Sequence, residues 1–175
     1  MVAVQSLYIV NGGEKMQQTE LESLIEEHYQ SIYAYCYRHV GQRELAQDLT
    51  QMTFLRLWQG RGRYNHDGRL LNYLYTIAGN LCRDWFRSRK NISLEENAGH
   101  LDIQAKHSDL DFSLMVREAL AALSFEQRNT AILYYYHGFT AAEISRITKV
   151  PVPTVRYRLH RAVKQLQTML KEDDL

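Results

Sequence analysis

The chain has 175 residues, 45% of them apolar, and sets 21 Lys and Arg against 20 Asp and Glu for a formal net charge of +1. That length allows one ordinary domain or two small ones. The charge balance excludes DNA binding through overall charge, so attraction to phosphate has to come from local patches. No apolar run approaches the length needed to span a bilayer, so no membrane insertion is expected, and no signal peptide is visible. The two cysteines, Cys36 and Cys82, lie far apart in helical patterns, which points to buried free thiols and a cytoplasmic location. With only two prolines and nine glycines, and no strand-like alternation, the expected fold class is all-α.

Residues 1–18 carry no periodicity and contain Asn11-Gly12-Gly13, a turn signal, so poor order is expected there. A first helical domain spans 19–90. Glu20–Val40 repeats Leu21, Leu24, Ile25, His28, Tyr29, Ile32, Tyr35 and Cys36 at helical steps, and Gly41 is placed to end it. Glu44–Gln59 is apolar on more than one face. Leu45, Leu49, Met52 and Thr53 form one stripe, and Asp48, Gln51, Leu55 and Trp58 another. One stripe fills a core and the other needs a cover; a helix buried all round is the alternative.

Gly60–Arg69 is a basic glycine-containing loop, with Arg61, Arg63, Tyr64, Asn65 and His66. It is either an ordinary solvated loop or one that approaches phosphates and an unstacked base. Leu70–Lys90 is a third helix. Leu71, Leu74, Tyr75, Ala78, Leu81, Cys82 and Trp85 face a core, while Asn72, Tyr73, Thr76, Asn80, Arg83, Arg87, Arg89 and Lys90 remain outside. Aromatic faces interleaved with arginines suit single-stranded nucleic acid.

Residues 91–111 carry Glu95, Glu96, Asp102, Asp109 and Asp111 against Lys106 alone, with few large apolar side chains. They read as a flexible acidic linker. A second domain, 112–175, follows. Leu114, Val116, Leu120 and Leu123 recur at helical spacing, and Ser124-Phe-Glu-Gln127 is a capping box. Ala131, Ile132, Leu133, Tyr135 and Tyr136 are expected to pack, with Gly138 as terminator. Thr140-Ala-Ala-Glu143 is a second capping box, opening a short helix that turns Ile144 and Ile147 inward. Val150-Pro151 interrupts it, and Pro153 suits the first position of a new helix.

That last helix buries Val155, Leu159, Ala162, Val163, Leu166 and Leu170. It turns Thr154, Tyr157, His160, Arg161 and Lys164 outward, with Arg156 and Arg158 on the flanks. From Pro153 to Lys171 there are five Lys or Arg and no acidic residue. A basic outer face alone usually means solvation; behind a short capped helix and a turn it fits a helix-turn-helix whose second helix enters the major groove.

Motifs for catalysis are absent: there is no glycine-rich phosphate loop and no His-Glu-x-x-His pair, and neither cysteine has a second at metal-ligand spacing. No enzymatic activity, metal or cofactor is expected.

The order of these parts resembles the extracytoplasmic-function class of bacterial sigma-70 factors. AQDLTQMTFLRLW at Ala46–Trp58 is similar to that family's helix for core RNA polymerase, and Leu70–Lys90 to its −10 element. Leu123–Leu166 is similar to its −35 domain. The resemblance implies a promoter-selecting subunit of RNA polymerase that helps melt DNA. It implies polymerase contacts by Asp48, Gln51, Met52, Leu55 and Trp58. For −10 DNA it implies Arg61, Arg63, Tyr64, Asn65, Tyr73, Asn80, Arg83 and Arg87, with the loop around Tyr64 pocketing a flipped base. For −35 DNA it implies Thr154, Arg156, Tyr157, His160, Arg161 and Lys164. The exposed apolar face around Leu55 and Trp58 adds an expected inhibitory partner, an anti-sigma factor.

The chain departs from the family pattern at several positions. An acidic residue usually stands at Met52, aromatic residues at Leu70 and Tyr73, an arginine at Thr76, alanine at Ser145 and glycine at Lys149. Tyr157 is larger than the usual residue there. Two other readings stay open on sequence: a dimeric helix-turn-helix regulator, which leaves the Asp48 face unexplained, and an interaction adaptor without a DNA role.

Overall fold

The computed structural model describes residues 18–60, 70–95 and 114–172. Among them the fold is all-α: α1 (Gln18–Val40), α2 (Arg43–Gly60), α3 (Leu70–Glu95), α4 (Leu114–Ala122), α5 (Phe125–Ala131), α6 (Ala141–Thr148) and α7 (Val152–Glu172). A π-helical turn, Ile132–Tyr136, extends α5.

Helices α1 to α3 form a bundle in which each touches the other two. Its centre is Ile32, Tyr35 and Cys36 of α1, Ala46, Phe54 and Leu57 of α2, and Leu74, Ala78 and Cys82 of α3, all essentially out of solvent. Both cysteines are buried and unpaired, as expected. Gly41 ends α1 with φ +70, the left-handed backbone that glycine adopts without a Cβ clash. In α2, Thr50 and Thr53 are fully buried. Each is satisfied by donating to a carbonyl one turn back, Ala46 at 2.6 Å and Leu49 at 2.7 Å.

The second unit is built on α5 and α7, with α6 against both the π turn and α7. Ser124 caps α5 and Thr140 caps α6, each in a complete reciprocal box. The Thr140 hydroxyl and backbone N–H also hold the Glu143 carboxyl below its ordinary range. Lys149, φ 57, closes α6 in the left-handed region. The Val155 N–H then bonds to the Pro151 carbonyl, so α7 begins at Val152 and Pro153 is its second residue rather than its first.

Three sequence expectations are corrected. Met52 is 41% exposed: the buried side of α2 runs through Ala46, Leu49, Thr50, Thr53 and Leu57, and Met52 lies beyond its edge. Tyr135 and Tyr136 are not core residues: they are 58% and 42% exposed, and the Arg38 guanidinium lies over the Tyr136 ring at 4.3 Å. Here the His137 N–H bonds back to Ile132 and the Phe139 N–H to Leu133. The wider π turn adds a residue to the repeat, so the inward register of Ile132 and Leu133 is not inherited three residues on. Helix α3 also continues to Glu95, five residues into the stretch assigned as linker; the rest of that linker lies outside the described residues.

Candidate polymerase and nucleic-acid interfaces

Three faces collect the residues singled out from sequence. On α2, Asp48, Gln51, Met52 and Leu55 are all exposed and Trp58 is half-buried. Steps of three and four residues set them on one side of the helix, opposite Ala46, Thr50, Phe54 and Leu57. The result is an apolar strip, Met52 and Leu55, flanked by a carboxylate and an amide. Such a strip suits another apolar helix with polar contacts at its rim.

On α7, Arg156, Tyr157, His160, Arg161 and Lys164 are exposed, and Thr154 and Arg158 are half-buried. Tyr157 is 62% exposed and stands at the N-terminal end of this face. Val155 and Ala162 are fully buried on the opposite side. The geometry is that of a recognition helix: an apolar stripe fixed against α5 and α6 and a cationic stripe available to a groove.

The third face, on α3, departs from expectation. Arg61, Arg63, Tyr64 and Asn65 lie outside the described residues. Tyr73 is half-buried, and Arg87 is exposed. Thr76 and Arg83 are half-buried against the second unit, while Asn80 stays exposed. The Thr76 hydroxyl reaches the carbonyls of Asn72 at 2.8 Å and Ile147 at 3.1 Å. Arg83 donates to Asn80 at 3.2 Å and lies over the Phe125 ring at 5.2 Å. Together they line a cavity of about 150 Å³ with Asn129, Thr148 and Lys149 across from them.

The junction is polar and aromatic. The Tyr35 hydroxyl, from a fully buried ring on α1, donates to Asn129 Oδ1 at 2.5 Å. Its path passes Gly79: a Cβ there would sit 2.9 Å from that hydroxyl. Glycine inside a helix costs about 1 kcal/mol relative to alanine, and here it leaves the hydroxyl room. The Tyr75 hydroxyl pairs with His137 Nδ1 at 2.8 Å. Arg128 donates to the carbonyls of His39 at 3.1 Å, Ala121 at 2.9 Å and Leu123 at 3.3 Å. His39 stacks on Phe125 with centroids 5.1 Å apart.

Burial holds both histidines neutral. His39 is lowered to about 3, by burial first and the Arg128 charge second. His137 is lowered to about 4, by burial and then Arg38. Sequence reasoning missed Arg128, Asn129, His39 and His137 as junction residues. The one available signal was Gly79, a glycine inside an otherwise strong helical pattern.

The described part of the chain is thus a helical bundle followed by a helix-turn-helix with a cationic second helix, the arrangement of a DNA-binding protein with a further docking face. Residues 24–92 match the Sigma-70 region 2 family and residues 113–166 the Sigma-70 region 4 family. The RNA polymerase sigma factor CarQ of Myxococcus xanthus is 30% identical over 162 residues, covering 90% of this chain and 93% of the relative. The ECF RNA polymerase sigma factor SigL of Mycobacterium tuberculosis is 29% identical over 169 residues, covering 93% and 96%. The fold is also similar to the sigma factor RpoE of Bartonella quintana, solved with the anti-sigma factor NepR. That likeness has a TM-score of 0.72 at 24% identity, over 87% of this chain and 98% of the other. The chain belongs to the extracytoplasmic-function class of sigma-70 RNA polymerase sigma factors. Among the described residues no helix is long and apolar enough to cross a membrane.

Proposed function

We propose that the protein is an alternative sigma factor of the cytoplasm. It joins core RNA polymerase, selects promoters by their −35 and −10 elements, promotes their melting, and is held in check by an anti-sigma factor. It regulates initiation and is not itself an enzyme. The observation that carries this reading is the separation of two exposed surfaces of opposite character: the Met52–Leu55 strip of α2 and the cationic face of α7. A self-sufficient DNA-binding regulator has no use for the first, and an adaptor has none for the second.

In this reading Asp48, Gln51, Met52, Leu55 and Trp58 dock on polymerase. Met52 replaces a polar contact by apolar packing. Arg156, Tyr157, His160, Arg161, Lys164 and Thr154 meet the −35 duplex, with arginines reading guanine edges or phosphates. Tyr73, Asn80, Arg83 and Arg87, with Arg61, Arg63, Tyr64 and Asn65, take the unpaired −10 strand. Flipping a base costs a few kcal/mol of unstacking, which a pocket and backbone contacts have to offset. The anti-sigma partner follows from the apolar α2 strip and from the partner named for the similar Bartonella quintana structure.

A salt titration of duplex binding tests the reading. The chain alone should bind promoter duplex weakly, and addition of core polymerase should raise affinity and promoter selectivity. Tight duplex binding by the chain alone, with a steep salt slope unchanged by polymerase, fits a regulator of the other kind.

A further inference from the structure

The cavity between α3 and the turn that follows α6 is small, polar and cationic. Thr76, Asn80 and Arg83 line it from α3, and Asn129, Thr148 and Lys149 line it from the second unit. No acidic side chain is among its lining residues. Its volume is about 150 Å³, the share of roughly five waters in the liquid, which suits a tetrahedral oxyanion and is too little for a nucleoside. Asn80 and Lys149 are exposed, so its rim reaches solvent.

We propose that this cavity is a phosphoryl-binding site. Arg83 and Lys149 hold the oxyanion from the two units of the chain, and the Asn80 amide donates to it. The ligand class is a phosphate dianion, either the free ion or the terminal phosphate of a small monoester. The site goes beyond the sigma-factor reading and does not depend on it.

Three observations carry it. First, two cations share one small polar space without a counter-charge. Among the described residues neither Arg83 nor Lys149 makes an ion pair. Like charges brought to one cavity repel, and an anion between them is attracted to both. Second, the donors are available. Arg83 donates from Nη1 to Asn80 Oδ1 at 3.2 Å, and a guanidinium keeps further N–H donors beyond that one. The same bond occupies the acceptor end of Asn80 and leaves its amide N–H groups as donors. A guanidinium fork and an ammonium are the side chains suited to phosphate, the first by bidentate bonds and the second as a point charge. Third, the lysine occupies a position that costs stability. Lys149 is the one non-glycine residue at positive φ among the described residues, at 57. Glycine adopts that backbone without strain, and strained positions of this kind cluster at ligand sites.

The test follows the backbone amide NMR spectrum of the full chain during titration with sodium phosphate at fixed ionic strength, with sodium chloride as the control. Lys149→Gly removes the cation at a position whose backbone suits glycine, so the fold is kept. Lys149→Arg keeps the charge and serves as the rescue. Saturable shifts of the Gly79, Asn80, Thr148 and Lys149 amides are expected with phosphate and not with chloride. Lys149→Gly should weaken phosphate binding about tenfold or more, the scale of one charge-assisted bond, and Lys149→Arg should restore it.

Unchanged phosphate affinity in Lys149→Gly overturns the proposal. So does a chloride response of equal size, which marks general screening. Adenosine 5′-monophosphate as a second ligand identifies the source. Binding at least as tight as that of phosphate assigns the site to a monoester, and exclusion assigns it to the free ion; either result upholds the site. A short single-stranded DNA of mixed sequence is the third ligand. If its binding alone depends on Lys149 and phosphate gives no saturable shift, the two cations serve the nucleic-acid strand and the proposal falls.

Discussion

The Ser145 hydroxyl donates to the carbonyl oxygen of Val150 at 2.6 Å, across a turn in which Lys149 holds φ 57. Two departures from the family pattern therefore meet in one place. A lysine in the left-handed region costs roughly 1 kcal/mol or more relative to glycine. A partly buried hydroxyl-to-carbonyl bond contributes about 1 kcal/mol, so the serine offsets much of what the lysine costs. Ser145→Ala should lower unfolding stability by about 1 kcal/mol. Lys149→Gly should raise it by up to about 1 kcal/mol, less what glycine adds to the freedom of the unfolded chain. Urea unfolding of the two variants checks both signs.

Arg128 is the second structural prediction. It is buried and gives bonds to three carbonyls on two segments, and its guanidinium lies over Phe86 at 4.9 Å. Lysine cannot reproduce a planar fork. Arg128→Lys should cost roughly 2–3 kcal/mol, since bonds from a charged donor carry about 1.5–3 kcal/mol each and only some are lost. The midpoint of denaturant unfolding reads this out, and a neutral result would contradict the role given to Arg128.

The histidines set an acid limit. His39 and His137 are lowered to about 3 and about 4 by burial, against about 6.5 in an unfolded chain. Below pH 6.5 the unfolded state binds more protons than the folded state, so stability falls as pH falls. The contribution is complete above pH 6.5 and is lost on the way down to about pH 4 and then pH 3. Each histidine adds a slope of about 1.4 kcal/mol per pH unit inside its window. Replacing His137 by Gln should flatten the pH dependence of unfolding between pH 6 and about 4 relative to the natural chain.

On α2, Leu55 is 46% exposed, so its replacement should spare the fold. Leu55→Glu should weaken core polymerase binding by roughly 30-fold or more, the scale of a central hot spot of about 2 kcal/mol. Thermal unfolding should stay within about 0.5 kcal/mol of the natural chain, as for other surface changes. On α7, Arg161→Ala should weaken −35 duplex binding about tenfold and, if the contact is to phosphate, lower the salt slope by about 1.

The helices were legible because the chain writes them with strong periodicity and two complete capping boxes at Ser124 and Thr140. The outward faces of α2 and α7 were legible for the same reason, Met52 apart, which the periodicity set in the core-side stripe of α2. The π turn was not legible: nothing in Ile132–Tyr136 distinguishes an α from a π hydrogen-bond register. Nor was the junction. Tyr35 and Asn129 are 94 positions apart, and a helix pattern reports that a residue is buried without reporting against what. Thr76, Asn80 and Arg83 were placed on the outer side of α3; Asn80 is exposed there, while Thr76 and Arg83 are half-buried against Ile147 and Phe125 of the second unit.

The most direct measurement of the central claim is transcription from fragmented genomic DNA by core RNA polymerase supplemented with the purified chain, with transcript starts mapped. A sigma factor yields discrete starts that share −35 and −10 motifs, lost when Leu55→Glu replaces the natural chain. Absence of core binding and of discrete starts, together with tight duplex binding by the chain alone, would contradict it.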